Sequence, residues 1–211
     1  MKITKLGHCC LLIEENNLRI LTDPGSWTVE AQSKVENIDI VLITHEHGDH
    51  LHIDSLKEIL RKSPKAIIIT NTSVGKLLDV ENIIYQIIEH KQEYGEKILI
   101  QGYGEKHEEI YKEMGQVQNT GYFIANKIFY PGDAFYDPKR SVEILALPVA
   151  GPWTNIKTAV EYALHIKPKK AFPVHDGMLK SFGTAHRVPL KFLPENNIEF
   201  IAMENGDILE C

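Results

Sequence analysis

Apolar positions along the chain follow two periods. Strand-like runs come first: Ile3–Leu6, Cys9–Ile13 and Leu18–Thr22, with the polar pair Asn16-Asn17 marking a turn between the second and third. Asp39–Thr44 (DIVLIT) is a short continuous apolar run, as in a buried strand. A helix is predicted to follow from Ser55, where Ser55 and Glu58 form an S-x-x-E capping box ahead of Leu56, Ile59 and Leu60, and Pro64 ends it. Ala66–Thr70 reads as the next strand and Ser73–Leu78 as a short helix. Strand-like segments recur at Ile83–Ile88, Lys97–Gly102, Gly121–Ala125, Lys127–Tyr130 and Glu143–Pro148. Asn155–Ile166 carries Ile156, Ala159, Val160 and Ala163 at i, i+3, i+4 and i+7, the stripe of an amphipathic helix. Lys170–Val174 and Ile198–Ile201 are late strands. Hairpins mixed with helix-linked strands predict α/β sheets covered by helices. No repeat, linker or low-complexity tract divides the chain, so residues 1–211 are read as a single domain.

Composition narrows the function classes. A formal net charge of -6 argues against a broad grip on nucleic acid, which needs many phosphate-neutralising cations. No apolar run is long enough for a signal peptide or a membrane span, so the expected location is the cytoplasm. The three cysteines, Cys9, Cys10 and Cys211, are odd in number and lack ligand spacing, which excludes a disulfide framework or a thiolate zinc site. Cys9 and Cys10 are adjacent in a strand and so face opposite sides as packing residues.

The chemistry concentrates in Thr44-His45-Glu46-His47-Gly48-Asp49-His50, directly after the buried strand. His45 and His47 lie two apart, so in extended chain both rings point the same way and can grip one metal ion. Asp49 and His50 are adjacent and can serve a second ion, with Gly48 bending the chain between the pairs. Imidazole and carboxylate suit zinc, and also iron or manganese.

At these residues the chain resembles the metallo-β-lactamase superfamily, whose signature is H-x-[EH]-x-D-H. Asp23 in Leu21-Thr22-Asp23-Pro24-Gly25 matches the family's early Asp, read as fixing a ligand or loop. His107, Asp133 in Tyr130-Pro131-Gly132-Asp133-Ala134, and His175 in Phe172-Pro173-Val174-His175-Asp176-Gly177 match the later ligand motifs in order. Gly7-His8 and the segment Leu147–Trp153 resemble the branch related to ascorbate-6-phosphate lactonase. The resemblance implies a four-layered αββα sandwich with two divalent metals at one edge. His45, His47 and His107 would hold the first ion and Asp49, His50 and His175 the second, with Asp133 bridging. His107 sits in no distinctive motif and His90 is its rival; the interval to Asp133 favours His107. The commonest true β-lactamases carry Cys where this chain has Asp133, which argues against antibiotic hydrolysis.

These readings imply a metal-dependent hydrolase in which a metal-bound hydroxide attacks a small phosphoester, lactone or related ester, with Asp49 orienting or deprotonating the nucleophile. A metal-binding sensor or scaffold without turnover and a nucleic-acid phosphodiesterase are the alternatives. Trp153, His8 and His186 are candidates to meet a small-molecule substrate. Each also has a plainer reading: Trp153 as a packing residue, His8 as a hydrogen-bonded core or edge histidine, and His186 as a solvated residue. The sequence leaves oligomeric state and substrate open.

Overall fold

The early strands form where alternation requires. β1 (Lys2–Gly7), β2 (Cys10–Glu15) and β3 (Leu18–Thr22) make an antiparallel meander in the computed structural model of the chain, which describes residues 1–95, 97–114 and 116–211. Asn16 and Asn17 both take positive φ at the β2–β3 turn, as a tight hairpin demands. Then come α1 (Val29–Gln32), β4 (Ile40–Leu42), α2 (Ile53–Lys62), β5 (Ile67–Thr70), α3 (Thr72–Val80) and β6 (Gln86–Ile87). Strands β3 to β6 pair in parallel.

The second half follows the same plan. β7 (Glu93–Tyr94), β8 (Ile100–Tyr103), β9 (Gly121–Ile124) and β10 (Ile128–Tyr130) are antiparallel. β11 (Ile144–Pro148), α4 (Ile156–Ile166), β12 (Lys170–Val174), α5 (Gly183–Phe192) and β13 (Glu199–Phe200) continue with parallel pairing. β14 (Ile208–Glu210) returns beside β1. Among the described residues the result is two seven-stranded sheets, β14-β1-β2-β3-β4-β5-β6 and β13-β12-β11-β10-β9-β8-β7. This shared plan of the two halves leaves no visible repeat in the sequence.

Strand alternation divides the apolar side chains into three layers. Leu11 and Ile13 of β2 meet Tyr122, Ile144 and Phe172 between the sheets. Cys10, Leu12 and Val41 face outward onto Leu56, Ile59, Val74 and Leu78 of α2 and α3. Leu145 and Leu147 face the other way onto Ala159, Ala163, Ala185 and Leu193. Three apolar layers between four secondary-structure layers are an αββα sandwich. Cys9 and Cys10 do divide between the inner and outer layers.

One local expectation fails, and α5 goes unpredicted. α2 begins at Ile53, two residues before the expected start, and its N-cap is His52 without a side-chain cap bond. Ser55 lies inside the first turn, where its hydroxyl meets His52 Nδ1 at 2.8 Å rather than capping a backbone N–H. α5 arises where the apolar pattern predicts no helix, since it contains Gly183 and Pro189. Burial of Ala185, His186 and Pro189 against the second sheet outweighs that poor propensity. By contrast α4 starts as predicted, with Asn155 accepting from Thr158 N at 3.2 Å. Among the described residues no helix is long and apolar enough to cross a membrane.

Candidate metal centre

The C-terminal ends of β3, β4, β10 and β12 open onto one edge of the sandwich. Parallel pairing of β3 with β4 places Asp23 beside Thr44, whose backbone N–H donates to Asp23 Oδ1 at 2.8 Å. Asp23 Oδ2 accepts from Thr44 Oγ1 at 2.7 Å, from His50 Nδ1 at 2.7 Å and from the Tyr130 hydroxyl. These contacts settle two tautomers. As a neutral ring His50 carries its proton on Nδ1, which leaves the Nε2 lone pair free to replace a proton by a cation. The Thr44 proton goes to Asp23, so Thr44 Oγ1 accepts from His45 Nδ1 at 3.0 Å and frees His45 Nε2. One buried carboxylate therefore aims two imidazoles, one directly and one through a hydroxyl. His107 is aimed by backbone: its Nδ1 donates to Glu108 O at 2.5 Å, leaving Nε2 free.

Backbone fit closes the loops around these groups. A Cβ on Gly25 would lie 1.7 Å from Asp49 O, so only glycine lets the Asp23-Pro24-Gly25 loop abut the His47–His50 turn. Gly48, the expected bend, is open and takes no positive φ. Gly132 sits at φ +65 with Asn119 Oδ1 2.4 Å from where its Cβ would be. Asn119 then accepts from Asp133 N at 3.0 Å and donates to Pro131 O at 2.9 Å, which sets the direction of Asp133.

Seven donors predicted from the sequence come together here: His45, His47, Asp49, His50, His107, Asp133 and His175. The ligand atoms of His45, His47, His107 and Asp133 lie within 4.8 Å of one another. Asp133 reaches both halves of the set. Its Oδ2 is 3.2 Å from His107 Nε2, 3.7 Å from His45 Nε2 and 2.9 Å from His175 Nε2, while Oδ1 is 3.2 Å from His50 Nε2. Asp49 Oδ2 lies 3.8 Å from His50 Nε2 and 3.6 Å from His175 Nε2. His50 Nε2, Asp133 Oδ1 and His175 Nε2 are buried without a hydrogen-bond partner and face one another across the centre. Buried, unpaired nitrogen and oxygen atoms that converge in this way are what a divalent cation satisfies, so the residues fit one. His90, the rival of His107, lies outside the cluster; its Nδ1 accepts from Gly104 N at 3.2 Å.

Electrostatics sort the groups. Burial, then neighbouring His50, hold the His45 ring well below the usual imidazole range. Burial opposes a charge on His50, yet the Asp133 carboxylate above all raises it well above that range. Burial also opposes ionisation of Asp133, but His50, His175 and His45 hold its carboxyl well below the ordinary value. Asp49 follows suit, down to about 2, because the hydrogen bond from His8 and the charge of His50 outweigh burial. Both carboxylates therefore stay ionised as hard oxygen donors.

The outer candidates divide. His8 belongs to the centre: Gly177 N donates to its Nδ1 at 3.2 Å, so the neutral ring carries its proton on Nε2, which donates to Asp49 Oδ2 at 3.1 Å. Burial lowers the His8 ring to about 4. Trp153 lines the cleft and its Nε1 donates to Asp133 Oδ2 at 3.1 Å. His186 does not reach the cleft and is not solvated. It is buried, with Nε2 donating to Asp176 Oδ2 at 2.8 Å beneath Phe182.

Several residues escape sequence reasoning. Cys9 lies with His8, His50 and His175, their ligand atoms within 4.8 Å, though burial pushes its thiol up to about 12. Buried Lys5 donates to Asp176 Oδ2 at 2.6 Å and to Met203 O at 3.1 Å, locking the segment next to His175. Its signal is strand alternation, which puts Lys5 on the same side as the core residue Ile3. Trp27, Ile110 and Met178 line the cleft from loops and carry no periodic signal.

Asp23→Asn keeps the shape but removes one acceptor from the group that aims His50 and His45. It is expected to weaken metal binding about 10–100-fold. Competition with a chromophoric chelator measures this, and an unchanged affinity would show that Asp23 acts on the fold alone.

Fold and site together define a metal-dependent hydrolase of the metallo-β-lactamase type. Residues 2–175 match the family described as the β-lactamase superfamily domain, and the chain belongs to it. It is 31% identical over 190 residues to a UPF0173 protein of Pyrococcus abyssi, covering 84% of each chain. It is 29% identical over 197 residues to a UPF0173 metal-dependent hydrolase of Carboxydothermus hydrogenoformans, covering 83% of this chain and 84% of that one. The metallo-β-lactamase fold protein YhfI of Bacillus subtilis superposes with a TM-score of 0.74 at 12% identity, over 99% of this chain and 98% of that one.

Proposed function

We propose that the chain hydrolyses a small phosphoester, lactone or related ester at a dinuclear centre. His45, His47 and His107 would hold one ion and Asp49, His50 and His175 the other, with Asp133 shared by the two sets. The observation that carries this reading is the position of Asp133, whose two oxygens reach histidines of both sets at 2.9–3.2 Å. When bound, such a pair of ions supplies Lewis acidity and an activated water. Imidazole and carboxylate donors favour zinc, with manganese or iron as substitutes.

The chain's own residues do the rest. His8 pins Asp49 at the cleft side of the floor, where its ionised carboxylate can accept a proton-bearing group of water or substrate. Trp153 holds Asp133 from the other side. Among the described residues no Lys or Arg lines the cleft, which argues against a nucleic-acid polymer as substrate.

Elemental analysis after reconstitution is expected to find two ions per chain, alongside turnover of bis(p-nitrophenyl) phosphate or a simple lactone. A ceiling of one ion would sink the dinuclear reading, and full occupancy without turnover of any ester would favour a binding protein. His107→Ala is expected to lose metal and activity, whereas His90→Ala keeps both. The reverse pattern would move the third imidazole to His90.

A further inference from the structure

The walls of the cleft differ sharply from its floor. The floor is the donor set. Above it stand Trp27, Ile110, Pro152, Trp153 and Met178, brought from four separate segments of chain. Trp27 is 50% exposed and Met178 38% exposed. Single exposed apolar residues need no explanation, but five converging on one opening form a patch that marks a binding surface. The two indoles are anchored rather than loose. Trp27 packs on His8 with ring centroids 4.5 Å apart. Trp153 stands 5.4 Å from His175 and 5.4 Å from Phe135 by the same measure, so the reacting group must enter beside an aromatic wall.

Charge is as telling. The polar lining residues are Ser26, His47, Asp49, His107, Asp133 and His175, and all but Ser26 belong to the floor. Any cation the floor holds lies there, so an anionic group elsewhere on a substrate would meet no counter-charge and would lose hydration against apolar walls. The cleft has a volume of about 410 Å³, the scale of a small molecule.

On the hydrolase reading above, we infer that the substrate is a compact ester or lactone bearing an uncharged apolar substituent. It carries no second anionic group remote from the reacting one. A phosphorylated sugar lactone is the wrong shape of charge for these walls.

The test is a series of γ-lactones with the metal-loaded protein: γ-butyrolactone, γ-hexalactone and γ-octalactone against 6-phosphogluconolactone. kcat/KM is expected to rise about fourfold for each methylene the walls cover, and to be lowest for the phosphorylated lactone. Trp27→Ala and Met178→Ala should each flatten the rise at unchanged metal content, and Trp27→Phe should keep it. A flat or falling series, or preference for 6-phosphogluconolactone, would overturn the inference. Calorimetry of octanoate and 6-phosphogluconate binding reads the same preference without turnover, with octanoate expected to bind more tightly. Octanoate preference with neither a lactone nor bis(p-nitrophenyl) phosphate hydrolysed would uphold the apolar cleft and defeat the hydrolase reading. Tighter binding of 6-phosphogluconate would defeat the cleft reading.

Discussion

On the dinuclear reading proposed above, Asp133→Ala is expected to abolish ester hydrolysis and to lower bound metal from two ions per chain to one or fewer. Asp133 is the residue whose oxygens approach His45, His50, His107 and His175, so no other carboxylate can take its place. Residues that merely orient a ligand change metal affinity or activity about 10–100-fold. Loss of the shared carboxylate should exceed that range, since it leaves imidazoles facing one another across the gap. His45 Nε2 and His47 Nδ1 are already 3.1 Å apart. Hydrolysis and metal content are read on the same preparation. Activity within tenfold of the unaltered protein, with two ions retained, would show that the bridge assignment is wrong.

Lys5→Met carries the largest expected effect on stability. Lys5 and Asp176 are fully buried and 2.6 Å apart, and His186 shares the same carboxylate oxygen at 2.8 Å. Removing one partner of a buried pair costs about 3–5 kcal/mol where it strands the other charge, and His186, the remaining partner of Asp176, sets the expected loss at the lower end, about 3 kcal/mol. For a chain of this size that is on the order of 10 °C in Tm. Burial opposes ionisation of Asp176, but His186 and Lys5 hold its carboxyl below the ordinary value. A folded pKa below the unfolded one gives stability that is complete above about pH 4 and is lost as pH falls through the folded value. The gap between Lys5→Met and the parent should therefore be full at pH 7 and shrink in acid. Lys5→Met/Asp176→Leu should recover part of the loss, because no orphan charge remains. Denaturant titration at pH 7 and pH 3.5 checks each statement. A gap under 1 kcal/mol at pH 7 would mean that the pair contributes little.

Loss of Lys5 also bears on metal. The segment it secures begins at His175, whose backbone takes the left-handed conformation at φ 59 and whose N–H donates to His8 O at 3.1 Å. A non-glycine residue held there is strained and depends on its surroundings to stay in place.

The centre was legible to very different degrees. His45, His47, Asp49 and His50 declare themselves because their geometry is local: four donors within six residues at the end of a buried strand need little tertiary information to converge. Asp133 and His175 are legible through short motifs that end strands. His107 differs from His90 in sequence only by interval, and only the packing of the loop after β8 places one in the cluster and leaves the other beside Gly104. His186 reads as a surface residue, yet α5 buries it under the second sheet. The capping box at Ser55 fails because a two-residue shift in helix start costs little locally and is decided by how α2 meets the first sheet.

By itself, then, the chain determined which segments alternate and, α1 and α5 apart, which are helical, that the sheets would be layered with helices, and that imidazole and carboxylate donors follow a buried strand. Those features depend on neighbours a few residues apart, where backbone geometry restricts the outcome. Only the tertiary structure decided the rest. It set Asp23 behind both His50 and Thr44, placed Lys5 under Asp176, gave the close approach at Gly25 to that glycine rather than to Gly48, and gathered Trp27, Ile110 and Met178 over the metal floor. These contacts join residues up to 171 positions apart. No periodicity encodes them, because they come into being only when two sheets pack face to face and their strand ends meet at one edge.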